Sequence, residues 1–276
     1  MTVRTRLVLN ADDFGISPAV NAGILACHAA GTVTSTSLMV HCPGWDDALP
    51  LLRATPSLGV GLHLNLLVGA PIIPAVTIID RRSGRFLPLG ALVRRGLAGR
   101  VDAAEVEAEC EAQIAAIEAA GIRLTHLDSH RHTHALPVMR GAVARIAARR
   151  NLPLRRPIES HRRFPNDLVS QVHRGVIAWS WRVTSVGATA TRAPQHFIGV
   201  SMQGGEKFEA QLTQVLGELP AGTAEMMVHP GRVDAALESV DGYTWQRERE
   251  LAALTAPSVR DRLAAGDIAR IRFDQL

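Results

Sequence analysis

Between Thr125 and His134 the chain reads Thr-His-Leu-Asp-Ser-His-Arg-His-Thr-His, which places four imidazoles and one carboxylate within ten residues. That many polar rings cannot be buried without partners; they need water, one another or a metal ion. Three more polar groups stand at the ends of short apolar runs far away in sequence: Asp12-Asp13 after Arg6 to Asn10, His63 after Leu58 to Leu62, and His229 after Glu225 to Val228. One carboxylate and two imidazoles make a three-ligand set with an open position, the pattern of a catalytic rather than a structural metal. Asp13, His63 and His130 are the expected ligands. Nitrogen and oxygen donors without sulfur suit zinc first, with cobalt, manganese, iron, nickel or magnesium as alternatives. Neighbouring side chains at a strand end point to opposite faces, so Asp13 is assigned to the ion and Asp12 is left as general base toward water. A divalent ion in such a site would acidify water and polarise a carbonyl. His229, arriving from the opposite side, would protonate a leaving amine.

Each of these residues also has a plainer reading. An isolated Asp-Asp at a strand end is commonly a turn or a helix cap, His63 alone would be a rim histidine, and His229 a core histidine. Within the cluster, Asp128 is expected to orient a ligand histidine, as carboxylates behind metal-bound imidazoles do, or to cap the loop. His132 is expected behind the ligands or against substrate, and His126 and His134 are expected to be structural. Arg155 and Arg156 are read as substrate contacts or, more simply, as a surface ion pair, and Arg155 is also a candidate for a place behind the ligands. His28, His41, His161, His173 and His196 carry no pattern of their own.

The elements that must position these groups alternate. Arg6 to Asn10, Val33 to Val40, Leu58 to Leu62, Arg123 to Asp128, Leu152 to Arg156, Phe197 to Val200, Glu225 to Val228 and Ile268 to Phe273 read as strands. Helices are expected from Ser17-Pro18 to Gly31, with Val20, Ile24 and Cys27 buried, and from Asp102 to Gly121, with Val106, Cys110, Ile114 and Ile117 buried. Further helices are expected over Asp46 to Arg53, Pro137 to Arg150, Leu168 to Val186, Glu206 to Leu219, Tyr243 to Leu254 and Pro257 to Ala264. Strands alternating with helices, with few hairpin signals, argue for about seven parallel β/α units. No linker divides them, so the expected fold is α/β, a single-domain distorted (β/α) barrel over residues 1–276, with a doubly wound sheet as the alternative. No G-x-G-x-x-G follows the first strand, which removes the usual reason for a dinucleotide fold. In a barrel the C-terminal strand ends converge on one face, and that is where all four polar segments fall. Residues 65–100 are punctuated by Pro71, Pro74, Gly84 and Pro88 and lack periodicity. They are read as a lid over the site or as a hairpin inserted at the rim.

Composition bounds the rest. A chain of 276 residues with 47% hydrophobic and 20% charged residues can bury a large core. The net charge is +4, and Lys207 is the only lysine. The arginines are dispersed, without the interleaved aromatics that base stacking needs, so nucleic acid is excluded as a partner. A diffuse basic face toward an acidic membrane surface is retained as an alternative. Three cysteines without a C-x-x-C spacing are expected to be reduced and packed. With no signal segment and no apolar stretch of roughly 18 residues, a cytoplasmic protein is expected, at most peripheral at the inner membrane face. The oligomeric state is not legible; a homodimer is compatible.

Asn10-Ala11-Asp12-Asp13-Phe14-Gly15, Gly61-Leu62-His63-Leu64-Asn65, Thr125 to His132 and Val228-His229-Pro230 together resemble the YdjC-like carbohydrate deacetylases. The resemblance spans most of the chain. It implies a distorted (β/α) barrel that removes N-acetyl groups from sugars with a divalent metal on an Asp-His-His set, which falls on Asp13, His63 and His130. The family's base falls on Asp12 and its late histidine on His229. The overall pattern is similar to the branch associated with hopanoid biosynthesis, which implies an N-acetylglucosaminyl hopanoid lipid as substrate. The apolar run from Ile72 to Ile79 and the 4% aromatic content are compatible with that lipid-linked sugar. Chito-oligosaccharides are the alternative within the family. Outside it stand another metal hydrolase, such as a phosphoesterase, and a non-catalytic metal- or lipid-binding protein.

Overall fold

The computed structural model describes residues 3–159, 175, 177–181 and 191–276. Seven parallel strands form one sheet: β1 (Thr5–Phe14), β2 (Ser35–Leu38), β3 (Gly59–Leu64), β4 (Leu124–Ser129), β5 (His196–Ile198), β6 (Gly222–Val228) and β7 (Ile268–Arg270). The order is β4-β3-β2-β1-β6-β5, and β7 pairs with the first residues of β1. Among the described residues, the ring closes between β4 and β5 only through single parallel bridges, Leu127 to Leu154 and Glu159 to Phe197. The strand expected from Leu152 to Arg156 is reduced to the Leu154 bridge because Pro153 and Pro157 have no N–H to give a ladder. The barrel is therefore distorted at this seam. Glu159 reinforces it by accepting the backbone N–H groups of Gly199 and Ser201 at 3.1 and 3.2 Å.

Around the sheet lie α1 (Pro18–Ala29), α2 (Trp45–Ala54), α3 (Leu89–Leu97), α4 (Ala103–Ala119), α5 (Pro137–Arg149), α6 (Phe208–Gly217), α7 (Ala235–Glu238), α8 (Trp245–Thr255) and α9 (Pro257–Leu263). Their start signals behave as the sequence implies. Ser17 caps α1 by accepting from the Val20 N–H, with Pro18 in the first turn, and Asp102 caps α4 by accepting from Ala104. Val20, Ile24 and Cys27, and Val106, Cys110, Ile114 and Ile117, are all buried. The three cysteines are buried free thiols. The helix expected from Leu168 to Val186 falls mostly outside the described residues, as do His161 and His173; residues 175 and 177–181 are helical. No described helix is long and apolar enough to cross a membrane.

Strand alternation sorts the chain into two layers. Leu7, Leu9 and Ala11 of β1 join the main apolar core shared with the helices, whereas Val8 packs with Ile271 and Phe273 in a separate cluster. Asn10 and Asp12 continue the Val8 face and make polar contacts, Asn10 with Ser37 of β2 at 2.8 Å and Asp12 with Arg155. The barrel interior thus grades from an apolar floor to a polar middle and a charged top. His126 belongs to the middle: its ring stacks on Phe273 at 3.8 Å, and burial pushes its pKa down to about 3. Gly61 makes room for it, since a Cβ there would lie 2.4 Å from the imidazole.

Residues 65–88 lack regular structure apart from a bridge between Ile79 and Phe86. Their backbone N–H groups are satisfied by a polar stripe on α4. Glu105 accepts from Val76 and Thr77, Glu109 accepts from Ile72 and Ile73, and Gln113 exchanges two bonds with the Asn65 backbone. Glu109 is fully buried and also accepts from Gln113 at 2.8 Å. Removing it strands these donors. Glu109→Ala is therefore expected to lower unfolding stability by about 1–3 kcal/mol in a denaturant titration. Glu111→Ala, which loses only partly exposed pairs with Arg149 and Arg150, should change it by less than about 1 kcal/mol; equal losses would sink this account of the loop.

Candidate active site

All four polar segments reach one cavity of about 120 Å³ at the C-terminal ends of the strands. Asp12, Asp13, His63, His130, His132 and His229 all line it. The two aspartates share it for a reason that simple alternation excludes. The β1–β2 register shifts between Ala11 and Phe14, and Asp13 adopts φ 71°. One extra residue on β1 forms a bulge, which re-aims a side chain at a strand end. The expectation that Asp12 and Asp13 point to opposite faces is thereby corrected: His63 Nε2 lies 3.2 Å from Asp13 Oδ1 and 4.0 Å from Asp12 Oδ2.

Asp13 Oδ1 also lies 2.9 Å from His130 Nδ1. Donor atoms of Asp13, His63 and His130 fall within 4.8 Å of one another, and this buried group could hold a metal ion. Tetrahedral coordination at about 2.0–2.2 Å separates neighbouring donors by about 3.3–3.6 Å, and the two separations from Asp13 Oδ1, 3.2 and 2.9 Å, are somewhat shorter. Behind His63, Asp128 Oδ1 lies 2.7 Å from Nδ1, which commits that nitrogen to the carboxylate and leaves Nε2 facing Asp13. Burial alone would raise the Asp13 pKa, but Arg247 and His130 hold it well below the usual carboxylate range. A second grouping, Asp12, His63 and Asp128, is also close enough. Its carboxylates, however, are engaged by Arg155.

Of the expectations for Arg155, the structure corrects the surface ion pair and the direct substrate contact and agrees with a place behind the ligands. Arg155 is fully buried, does not line the cavity, and sits beneath it. Nη1 and Nη2 grip Asp12 at 2.6 and 2.7 Å, Nη2 also reaches Asp128 at 2.8 Å, and Nε donates to Glu225 at 2.6 Å. Burial, together with Asp128 and Asp12, pushes the Glu225 pKa up to about 8 despite the guanidinium.

The remaining histidines separate by environment. His134 is buried between Ser129 Oγ, 2.6 Å from Nδ1, and the Arg155 carbonyl, 3.1 Å from Nε2, with its pKa pushed down to about 4 by burial. His132, at φ 54°, turns its ring toward Phe197 at 5.8 Å. At the end of β6, the His229 backbone N–H donates to Glu250 at 2.6 Å, its ring stands 5.4 Å from Tyr243, and its buried Nδ1 has no partner among the described residues.

Sequence reasoning missed several contributors. Arg247 of α8 lines the cavity with Asp241 and Tyr243 and donates to Asp13 Oδ2 at 2.6 Å. It sits in Gln-Arg-Glu-Arg-Glu, which reads as a solvated helix face. Glu225 carried a legible signal, a lone acid inside the otherwise apolar run to Val228.

Burial alone would lower the His63 pKa, but Asp128 and Asp12 outweigh it and raise it to about 10. An ion that uses this imidazole must displace its proton. Binding near neutral pH should release about one proton from His63, and apparent affinity should climb with pH toward about 10. Titration calorimetry in buffers of different ionisation enthalpy measures the release. Binding with no proton release would remove His63 from the ligand set.

The YdjC-like protein profile matches residues 6–265. A carbohydrate deacetylase of Brevibacillus brevis is 33% identical over 273 residues, covering 98% of this chain and 99% of its own. Carbohydrate deacetylases of Halalkalibacterium halodurans and Vibrio vulnificus are 34% and 32% identical, covering 91% and 98% of this chain and 95% and 96% of theirs. Among solved structures, an Enterococcus faecalis V583 protein provisionally assigned to cellobiose-phosphate cleavage superposes with a TM-score of 0.78 at 26% identity, covering 99% of both chains. The profile spans every segment that lines the cavity, and this chain belongs to the YdjC-like proteins.

Proposed function

We propose that this chain is a metal-dependent carbohydrate deacetylase that removes the N-acetyl group of an acetylated amino sugar. The observation that carries the reading is the donor triangle of Asp13, His63 and His130, open to the same cavity as Asp12 and His229. The names of the relatives support the substrate class. Two imidazoles and one carboxylate suit zinc first, with magnesium, cobalt, manganese or nickel as alternatives. Such an ion supplies Lewis acidity that polarises an amide carbonyl and lowers the pKa of water.

The chain's own groups do the rest. A carboxylate offers about four acceptor sites. Asp12 Oδ1 accepts from Arg155 and Asn10, whereas among the described residues Oδ2 accepts from Arg155 alone. Oδ2, the oxygen nearer His63, therefore keeps a lone pair for the proton of attacking water, and Asp12 is the general base. Arg155 holds the plane of that carboxylate. His229 delivers a proton to the departing amine. Val200 and Met227 are the apolar residues of the cavity wall and face the acetyl methyl. At about 120 Å³ the cavity is smaller than the roughly 300–1,000 Å³ that encloses a whole ligand. It takes the acetamido end and leaves the rest of the sugar, lipid-linked or oligosaccharide, at the mouth. A phosphoesterase of the two-metal kind is disfavoured because Arg155 occupies the carboxylates a second ion would need.

Acetate release from N-acetylated sugars should vanish on chelation and return with metal, and Asp12→Asn should lower kcat by about 10²–10⁴-fold. Full activity in Asp12→Asn would remove the base assignment, and two tightly held ions per chain would revive the phosphoesterase. Mass analysis of deacetylation on N-acetylglucosaminyl lipid and on chito-oligosaccharides in parallel assigns the aglycone: loss of acetyl only from the oligosaccharides would exclude the hopanoid-type substrate. Met227→Ala should shift the N-propionyl to N-acetyl ratio of kcat/KM upward by about 10-fold. An unchanged ratio would place the methyl elsewhere.

A further inference from the structure

Arg247 comes from α8, more than two hundred residues away from Asp13, and is fully buried. Its Nη2 donates to Asp13 Oδ2 at 2.6 Å and to Asp241 Oδ2 at 2.9 Å, and its Nε donates to the Tyr243 carbonyl at 2.8 Å. Nη1 is enclosed without a partner among the described residues, and these three acceptors set the position of the guanidinium. Asp241 is held in turn from the rim, where the half-exposed Arg131 donates to its Oδ1 at 2.7 Å. The other oxygen of Asp13, Oδ1, faces His63 Nε2 and His130 Nδ1 at 3.2 and 2.9 Å. The two oxygens of one carboxylate are thus divided between a buried cation and the ligand triangle.

An unrestrained carboxylate can hold a metal through one oxygen or both. Turning Oδ2 away from Arg247 would leave a buried guanidinium short of a charge partner, which is strongly unfavourable. We propose that Arg247 is a positioning residue that fixes Asp13 as a one-oxygen ligand, so that coordination positions stay open for water and for the acyl oxygen. This rests on the metal reading of Asp13, His63 and His130. The Arg131–Asp241–Arg247 chain is its structural support, and it ties ligand geometry to a side chain at the cavity mouth.

The test uses cobalt(II) as a probe, because its visible absorption weakens as coordination number rises. The native chain and Arg247→Lys are compared for that spectrum, for cobalt affinity by chelator competition, and for kcat and KM on an N-acetylated sugar. Lysine keeps the charge but loses the planar fork. Arg247→Lys should bind cobalt with a weakened visible band and show kcat lower by about 10–100-fold, with KM changed much less. In Arg247→Ala, added methylguanidinium should restore part of the band. An unchanged spectrum with unchanged kcat in a cobalt-loaded Arg247→Lys chain would overturn the proposal. Should the variants fail to fold, a crystal structure of the metal-loaded native chain decides: Oδ2 staying on Arg247 supports the inference, and Oδ2 on the ion overturns it. Loss of the band in His63→Ala, with the native band present, shows the ion at the expected ligands; a native chain that binds no cobalt there would instead remove the metal reading itself.

Discussion

The interaction on which the structure depends is the guanidinium of Arg155, fully buried under the cavity and bonded to Asp12, Asp128 and Glu225. Three buried carboxyl groups converge on it, and without a cation their mutual repulsion and desolvation would oppose folding. Loss of one partner from a buried ion cluster typically costs about 3–5 kcal/mol. Arg155 answers with at least four short donor contacts from one planar group, a geometry lysine cannot reproduce. Part of the load is also relieved by chemistry: the high pKa of Glu225 favours a neutral carboxyl near pH 7.

From this hub the functional groups follow by direct contact. Asp12 is held in the guanidinium fork with one acceptor site left on Oδ2. Asp128 stands between Arg155 and His63 and sets which nitrogen of that imidazole faces the cavity. Ser37 donates at 2.6 Å to Asp128 Oδ2, the oxygen that Arg155 also holds, and accepts from Asn10 at 2.8 Å, so β1, β2 and β4 are tied together through side chains as well as through their ladders. Arg247 does for Asp13 what Arg155 does for Asp12, from the other side of the cavity. Two aspartates adjacent in sequence therefore have separate cations, and the bulge in β1 is what lets both reach the same space.

The histidine cluster after β4 divides into unlike parts. His126 lies in the polar middle of the barrel, neutral and stacked on Phe273. His134 braces Ser129 against the carbonyl of Arg155. Only His130 and His132 reach the cavity. The left-handed backbone at Arg131 and His132 ends the strand alternation that would otherwise carry the rings to alternating faces. Placement of the cluster is a property of that turn, and composition alone does not describe it.

Much was legible in the chain itself. The alternation of strands and helices, the caps at Ser17 and Asp102, the buried helix stripes, and the gathering of Asp13, His63, His130 and His229 at the strand ends all follow from local periodicity and from the rule that parallel strand ends converge. These are short-range patterns, written in residues a few positions apart. What they could not contain is the pairing of charges across distance. Arg155 looked like a surface residue and Arg247 like part of a solvated helix, because an arginine next to other polar residues reads the same whether its partner is water or a carboxylate 234 positions away. Glu109, too, reads as an ordinary helix surface residue until the loop it caps is folded onto it. Local sequence determined which groups could do chemistry. Only the closed barrel decided which were buried together, and burial is what turns a charge into an obligation to find its partner.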